Sequence, residues 1–581
     1  MNTKLKKILG ILGVVLLSIF VVVSIVQKQN IFFSTAIILW GIIFLYGFYK
    51  EEYFFLGFLA SFFAFLLGGE LLINVFGLKN TYVFTEKVNQ QAYILVNIAL
   101  LGLFIGYFIL DFLKGNFTNK EEKKPIKFTG KYLKLVRIIS LSVFFVSFVL
   151  ATINLAEKVY HIMNEGFLIT YLGYNSVLPG FMGAMEYIMD SSYVLFLATM
   201  PKKNTFVKVT IFYLFYSTFT LMTFHRIYFA VNFLMIFLYI LFREKFSKAE
   251  INTSKSSKKA IWLNTKTVLV MIISFVVIIP LMNKVNDIRF LPNKKLVEEI
   301  EVKEQEVLKL DTKSKELKKI EADFKNKLVK IDKPEEKKKI EQKITVIEEE
   351  LKEVEHKLVD YKKTIKETEK IIEEEEEKIK EKEEEKSDVA IVELGRNQGF
   401  SINAVKWSIV NREELPNKNY VFGNVIDYFE YGSFAQKFLG KTNDWYREGN
   451  SIEMATQSRK YSHALTYKLF PEFYLKGRGI GSSYIAEAYH VYGSVGVFAI
   501  SMLAGVIMYI FYRRPNLFTF FAGLLIYRII LIMPRGPFDT FILEFISLKN
   551  IALYVLVFGG AWVLTKLKGP MVDKVFEKLK I

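Results

Sequence analysis

The chain has 581 residues, a formal net charge of +18 and no cysteine, which excludes disulfides and thiolate metal sites. Hydrophobic residues make up 52% of it and charged residues 23%, and the two kinds are segregated along the sequence. Glu and Lys dominate residues 294–388, whereas the rest is mostly apolar runs. A basic charge in that setting indicates membrane topology and contact with anionic lipid, and it argues against a nucleic-acid partner.

About twelve apolar runs are long enough to cross a hydrocarbon layer about 30 Å thick. The first is interpreted as an uncleaved span, because it is too long for a signal peptide and the QKQN that follows is a poor cleavage site. The predicted spans are Ile8–Val26, Ile31–Phe48, Phe54–Phe76, Ala92–Leu113, Leu133–Leu155, Phe181–Met200, Phe206–Phe224, Ile227–Phe242, Ile261–Met282, Tyr484–Tyr512, Leu517–Met533 and Lys549–Leu564.

Lysine and arginine in the short connections set the predicted orientation. With the N-terminus inside, the Lys-rich connections all fall on one side, and both termini are cytoplasmic. The expected fold is an all-α polytopic membrane protein with N-terminal transmembrane helices in 1–282, a large extracytoplasmic loop in 283–483, C-terminal transmembrane helices in 484–566 and a cytoplasmic tail in 567–581. The loop divides into a coiled-coil hairpin at 294–388 and a mixed surface segment at 389–483.

The first part of this loop shows a heptad pattern. Apolar residues recur in alternating steps of four and three, which is typical of a coiled coil: Ile340, Ile344, Ile347, Leu351, Val354, Leu358, Tyr361 and Ile365. Because proline is tolerated only at a helix start, Pro334 predicts an antiparallel helical hairpin with its tip near Lys333–Pro334. The hairpin is either a solvated spacer or a docking arm, for a chain-length regulator or for self-association. Weak helices are predicted in Asn397–Val410, Val421–Phe438 and Glu453–Leu469.

Arginine is concentrated on the predicted outer side, whereas lysine dominates elsewhere. Guanidinium forks bind phosphate oxygens bidentately, so such a cluster suits a lipid diphosphate headgroup, although ordinary ion pairs are the alternative. The outer arginines are Arg226, Arg289, Arg396, Arg447, Arg459, Arg478 and Arg535. Arg528 lies inside a predicted span, where it pairs with Glu544, faces the same cavity or snorkels.

Two kinds of general base are present near the predicted outer surface. Glu487 is the leading candidate, since a half-buried carboxylate has its pKa raised and can accept a hydroxyl proton. His490 shares its helix face three residues on, and His463 is a competing base. The alternative is that Glu487 and His490 form a helix-start pair. The absence of HxH or HxxxH spacing and of a nucleotide motif predicts no metal and no cofactor.

The segment GRGIGSSYIAEAYHVYGSVGVFAISMLAG, Gly477–Gly505, resembles the late segment of Wzy-type oligosaccharide repeat-unit polymerases of O-antigen and capsule synthesis. RNQGFS, which runs from Arg396 through Gln398 to Ser401, resembles part of their large outer loop. PRGPF, Pro534–Phe538, resembles their last outer connection, and Arg226 fits a family arginine. The 294–388 hairpin departs from the family and is expected to be an insertion.

The resemblance implies a bacterial inner-membrane glycosyltransferase that uses undecaprenyl-diphosphate-linked oligosaccharide units as donor and acceptor. The growing chain would pass from its lipid diphosphate to the non-reducing end of a new unit. Glu487, His463 and His490 are then the catalytic candidates. The predicted substrate-binding residues are Arg226, Arg396, Gln398, Arg459, Arg478 and Arg535. An O-antigen ligase-like transferase, a lipid-linked oligosaccharide flippase and a structural protein that displays a coiled coil are the alternatives.

Overall fold

The computed structural model describes residues 15, 30–76, 82–117, 130–165, 176–223, 226–251, 294–330, 334–384, 401–441, 444–446, 449–475, 477–513 and 517–566. Every regular element in these ranges is helical. The α-helices are α1 (Ile31–Tyr49), α2 (Tyr53–Phe62), α3 (Gly68–Phe76), α4 (Glu86–Phe117), α5 (Lys131–Glu165), α6 (Met182–Ala198), α7 (Lys203–Phe219), α8 (Arg226–Ile251), α9 (Lys294–Val329), α10 (Pro334–Glu384), α11 (Ser401–Val410), α12 (Gly423–Glu430), α13 (Ser433–Phe438), α14 (Ile452–Gln457), α15 (Tyr461–Leu469), α16 (Pro471–Leu475), α17 (Tyr484–Arg513), α18 (Leu517–Ile532), α19 (Thr540–Ile546), α20 (Leu548–Tyr554) and α21 (Gly560–Lys566).

Nine of the helical stretches in the described ranges are long and apolar enough to cross a membrane. They are Ile31–Tyr49, Tyr53–Ile73, Glu86–Ile109, Lys131–Asn164, Lys203–Thr223, Ile227–Glu244, Tyr484–Phe511, Leu517–Arg535 and Leu548–Lys566. Two further predicted spans, Ile8–Val26 and Ile261–Met282, lie outside the described residues. The predicted span Phe181–Met200 is the 17-residue helix α6, which is shorter than the other nine.

The chain divides into two compact units. One unit comprises Met1–Val159, Leu168–Val285 and Asp388–Ile581, and it contains the candidate spans, apart from the last five residues of Lys131–Asn164, together with α11 to α16. We call this unit the body. The other comprises Tyr160–Phe167 and Asn286–Ser387 and contains α9 and α10. The weak helices expected from the sequence between 397 and 469 are present in the body as α11 to α15.

Helices α4 and α17 pack with their backbones nearly in contact, because glycine removes the side chains between them. A Cβ atom on Gly106 would lie 2.0 Å from the Met502 carbonyl oxygen, and one on Gly505 would lie 2.5 Å from the Leu103 oxygen. Small residues allow this close approach, which favours dispersion contacts between spans in lipid. The packing fixes the helix that begins immediately after the Gly-rich loop at 477–483.

A buried ion pair fastens α11 to the transmembrane helices. Lys406 on α11 contacts the Glu70 carboxylate on α3, and both side chains are almost fully buried. The Tyr93 hydroxyl on α4 donates to the second Glu70 oxygen at 3.2 Å. Removing one member of a buried pair leaves the other charge uncompensated, at a cost of about 3–5 kcal/mol. The segment that follows the hairpin is thus held rigidly against the spans.

In the second unit, α9 packs against α10. Leu317 of α9 and Val354 and Leu358 of α10 form its buried core. Ion pairs cross between the helices from Lys318 to Glu355 at 2.9 Å, from Lys325 to Glu348 at 2.9 Å and from Lys313 to Glu350 at 3.5 Å. Pro334 begins α10, as proline at a first helical position should. The tip residues 331–333 lie outside the described residues, and the supercoil that the heptads predict stays a prediction.

Candidate functional site

The loop at 477–483 carries Arg478 between two turns that require glycine. Gly477 and Gly481 both have φ of 80°, a left-handed conformation that side chains with a Cβ rarely adopt. The Ile480 N–H donates to the Thr466 hydroxyl on α15 at 3.2 Å, which fixes the middle of the loop. The GRGIGSS motif is therefore a shaped loop that holds a guanidinium at the entry to α17.

Glu487 lies in the first turn of α17 and is 1% exposed. One carboxylate oxygen accepts the Ser482 hydroxyl at 2.9 Å, and the other accepts the Phe538 backbone N–H at 3.1 Å. Its two partners come from GRGIGSS and from PRGPF, two motifs that the sequence analysis singled out for their resemblance to one family. Both Glu487 oxygens are engaged, so this carboxylate joins the two motifs.

Asp539 extends the same connection toward α12. It is fully buried and accepts the Asn424 side-chain amide at 2.8 Å and the Val425 N–H at 2.9 Å, at the start of that helix. Burial raises the pKa of this carboxyl to about 6, although its hydrogen bonds act in the opposite direction. Nothing in the local sequence signals this partner, which lies 115 residues away along the chain.

His463, on α15, is held by a tyrosine. Its Nδ1 lies 2.8 Å from the Tyr474 hydroxyl, and that hydroxyl lies 3.2 Å from the Ser451 carbonyl oxygen. If Tyr474 donates its single proton to Ser451, Nδ1 must carry the proton, which leaves a lone pair on Nε2. Burial, and then the nearby charge of Lys460, lowers the pKa of His463 to about 4. The ring is therefore neutral at ordinary pH.

Arg478 belongs to the same small structure as His463. The Asn450 side-chain amide donates to the Tyr474 carbonyl at 2.8 Å and to the Arg478 carbonyl at 2.9 Å. The guanidinium lies 5.7 Å from the centre of the Phe473 ring. Asn450 thus ties the backbone of Arg478 to that of Tyr474, the residue that holds His463 and that sequence reasoning missed.

His490 is packed among aromatic rings. It is 6% exposed, and its Nε2 lies 3.3 Å from the Pro416 carbonyl oxygen. The Tyr420 and Tyr461 rings lie 5.2 and 5.5 Å from its own. His490 follows Glu487 by three residues on α17, but the hydrogen bonds that hold the two side chains are to different segments.

Arg459 is engaged by two acidic side chains. Its Nη1 lies 3.0 Å from Asp427 and 2.7 Å from Glu430, both on α12, and its backbone N–H donates to Asp427 at 2.7 Å. Burial of Asp427 raises the pKa of that carboxyl, whereas the Arg459 hydrogen bonds lower it. Arg459 therefore forms an ordinary ion pair, which was the alternative to diphosphate binding for the outer arginines.

The other predicted ligands are less well defined by geometry. Arg535 is half-buried in the short turn Met533–Arg535 that opens the PRGPF connection. Arg226 begins α8, and its side chain lies outside the described residues. Arg396 and Gln398 also lie outside them. These four positions stay predictions, and so does a shared role for Arg478 and His463.

Arg528 pairs with a residue that the sequence analysis did not name. Its guanidinium contacts the Asp190 carboxylate on α6, and Glu544, the predicted partner, lies 4.0 Å from Nη2. Burial is the larger influence on the Glu544 carboxyl and raises its pKa, whereas the charge of Arg528 lowers it. The sequence did contain a signal for this pair: Asp190 lies inside the predicted span Phe181–Met200, and a charge in an apolar run needs a partner.

The described ranges are thus those of an all-helical integral membrane protein, with nine apolar helices long enough to cross a membrane and with His463 held by Tyr474 in the segment docked on them. The family model for O-antigen polysaccharide polymerase Wzy matches residues 8–302 and 379–568, which is more than half of the chain. The chain belongs to that family. The unmatched residues 303–378 include most of α9 and most of α10. No curated protein and no solved structure matches it.

Proposed function

We propose that this protein polymerises undecaprenyl-diphosphate-linked oligosaccharide repeat units at the outer face of the bacterial cytoplasmic membrane. Family membership supports the reaction class, since the Wzy family works on lipid-linked repeat units. The observation that carries the residue assignment is the 2.8 Å contact between His463 Nδ1 and the Tyr474 hydroxyl, and Asn450 links the backbones of Tyr474 and Arg478. The product is an O-antigen or capsule-like polysaccharide.

His463 is the general base in this proposal. Its Nε2 takes the proton from a hydroxyl at the non-reducing end of the acceptor unit as that oxygen attacks the anomeric carbon of the donor. A neutral ring with Nδ1 held by Tyr474 is prepared for this transfer, because only the unprotonated nitrogen can accept. Glu487 is 1% exposed and has both oxygens engaged, so we assign it the role of positioning the two motifs it joins.

Arg478 stabilises the leaving group. As the new glycosidic bond forms, the bond from the donor sugar to the diphosphate breaks, and the lipid diphosphate leaves with the electron pair. A guanidinium placed where this charge develops lowers the barrier without a metal. Arg535, Arg226, Arg396 and Gln398 remain proposed contributors. We assign Arg459 a structural role, because Asp427 and Glu430 already occupy its fork.

The remaining assignments follow from the same reaction. His490, packed between Tyr420 and Tyr461, positions α17 against α15 and does not transfer protons. The diphosphate linkage supplies the free energy, so the reaction uses no nucleotide cofactor. The hairpin unit is an accessory that interacts with a chain-length regulator or a second copy.

The test is a complementation assay with glycan ladder analysis in a strain that lacks this gene. His463→Gln is expected to abolish long chains while single-unit product persists, and Tyr474→Phe should reduce them. His356→Gln is the matched control, because His356 is an exposed histidine on α10 outside the body. Normal ladders in His463→Gln would overturn the base assignment.

The same gel separates the alternative functions. If the protein is a ligase, a strain without the gene should accumulate free polymer and should lose all attached glycan. A flippase would leave lipid-linked single units on the cytoplasmic side and no single-unit product outside. Loss of long chains with retention of single units is the outcome that supports a polymerase.

A further inference from the structure

Helix α17 is broken near its start, and an arginine fills the break. Gly493 has φ of 67° and ψ of −158°, so the helical geometry is interrupted there. Residue 494 would be the normal donor to the His490 carbonyl in an unbroken helix. Arg412, just after α11, directs its Nε toward that oxygen at 3.4 Å.

The break favours glycine, and that glycine lies beside Arg412. The positive φ is strained for any residue with a Cβ atom. A Cβ at Gly493 would also lie 3.4 Å from Nη2 of Arg412, so the guanidinium sits directly against the glycine. Its central carbon lies 4.9 Å from the centre of the Tyr489 ring, and the Tyr489 hydroxyl is fixed by Gln91 at 2.6 Å. Three neighbours therefore orient the Arg412 fork.

The charge of Arg412 is not balanced by an acidic side chain among the described residues. Arg459 and Arg528 each contact carboxylates, whereas no described carboxylate forms an ion pair with Arg412. Its one hydrogen bond in the described ranges uses Nε, so the terminal N–H groups make none there. An exposed guanidinium that is oriented without an acidic partner is prepared for an anion.

An exposed apolar stripe descends α17 from the break. Four large side chains recur on one face of this span and are at least 39% exposed: Tyr492, Val495, Leu503 and Ile510. In an integral membrane protein such a face contacts lipid tails. An anion that sits at Arg412 and is attached to a long apolar chain would thus find surface for both parts on one helix.

We propose that Arg412, set in the break of α17, binds the diphosphate of a second lipid-linked substrate. This inference rests on the proposed function, because polymerisation needs a donor and an acceptor and each carries its own diphosphate. Arg478 takes the diphosphate that leaves, and Arg412 takes the one that stays attached. The prenyl chain of that second lipid lies along the stripe from Tyr492 to Ile510.

The experiment measures how many prenyl diphosphates the purified full-length protein binds in nanodiscs. The probe is geranylgeranyl diphosphate, and geranylgeraniol and inorganic diphosphate are separate arms. The wild type should bind two equivalents per chain. Arg412→Ala and Arg412→Gln should each lose one, with affinity for it falling about tenfold or more. The Gln side chain still has an N–H donor for the His490 carbonyl, so a loss of diphosphate binding in Arg412→Gln reflects the missing positive charge.

The matched control is Lys468→Ala, which removes one positive charge from an exposed ion pair with Glu414 at 3.0 Å and should leave two equivalents. Two equivalents at wild-type affinity in both Arg412 variants would overturn the inference, and so would a single equivalent in the wild type. Inorganic diphosphate that binds the Arg412 site as tightly as the lipid would exclude the prenyl chain as part of the ligand. The ladder assay on His463→Gln judges the proposed function separately.

Discussion

The Glu487 carboxylate accepts the Phe538 backbone N–H at 3.1 Å, so one side chain joins the start of α17 to the PRGPF connection. Its other oxygen holds Ser482 of the Gly-rich loop at 2.9 Å. These two contacts convert three separate stretches of sequence into one rigid corner. The corner faces the α15–α16 hairpin through Thr466, which fixes the loop that carries Arg478.

We predict that Glu487→Gln lowers stability more than it lowers the intrinsic rate. In the Gln variant the side-chain oxygen still accepts one hydrogen bond, but the amide nitrogen faces the other donor, either Ser482 or the Phe538 N–H. Leaving that buried donor without an acceptor costs about 1–3 kcal/mol. The thermal unfolding midpoint should fall, while polymer made per folded molecule stays within a few fold of wild type. Loss of all polymer at normal stability would instead make Glu487 the base.

The pH profile of polymerisation should report His463. Because burial holds the pKa of its ring near 4, the neutral form that accepts a proton is present above about pH 4. Activity in membranes should therefore persist through pH 6 and fall only near pH 4. An acid limb near 6.5, the ordinary value for histidine, would mean that this ring is not the buried base described here.

Tyr474→Phe tests the orientation of that ring. The substitution removes the hydroxyl that contacts Nδ1 and keeps the aromatic packing, so the tautomer with a free Nε2 is no longer enforced. Turnover should fall by about 10–100-fold, which is a share of the contribution that general bases make. Binding of the lipid diphosphate should be unchanged, and a matching fall in binding would point to a structural effect.

Stability in the acid range should contain two opposing contributions. His463 has a lowered pKa, so the unfolded state binds more protons between about pH 4 and 6.5, and stability rises with pH there. Asp539 has a raised pKa of about 6, so the folded state binds more protons above about pH 4, and its contribution is lost as pH rises through 6.

Single variants should separate these two slopes. His463→Gln should leave the protein less stable at pH 6.5 than at pH 4.5, and Asp539→Asn should show the reverse. Each contribution is about 3 kcal/mol at most, from the free energy of a pKa shift. Thermal unfolding of the purified protein across this range measures both, and identical profiles in the two variants would contradict the assignment.

The Arg528–Asp190 pair should be needed for folding rather than for chemistry. Arg528→Met leaves Asp190 and Glu544 buried without their cation, which should lower stability by about 3–5 kcal/mol. The double variant Arg528→Met, Asp190→Leu should recover part of that loss, because no buried charge is then left unpaired at that contact. The yield and melting temperature of purified protein distinguish the two.

Replacing residues 294–384 with a short Gly/Ser linker should leave the body folded. The unit that contains α9 and α10 has its own core, and the family match resumes on its far side. Polymer should still form, with an altered chain-length distribution if the hairpin docks a regulator. An inactive but folded protein would give the hairpin a direct role in the reaction.

The sequence by itself determined the class of this protein and most of its helices. Apolar runs must be helical in lipid, where each backbone N–H and C=O needs a partner within its own segment, so spans can be read from composition. The heptads and Pro334 located α9 and α10 within a few residues. The same local reasoning identified GRGIGSS and PRGPF as the important motifs.

Only the tertiary structure decided which polar groups meet. Tyr474 orients His463 because α16 folds back on α15, and Asp190 reaches Arg528 across 338 residues of sequence. The sequence does not distinguish Arg459 from Arg478, yet Arg459 contacts two carboxylates and Arg478 contacts an aromatic ring. Ionisable side chains act through distances of a few ångströms, and those depend on helix packing that no local pattern encodes.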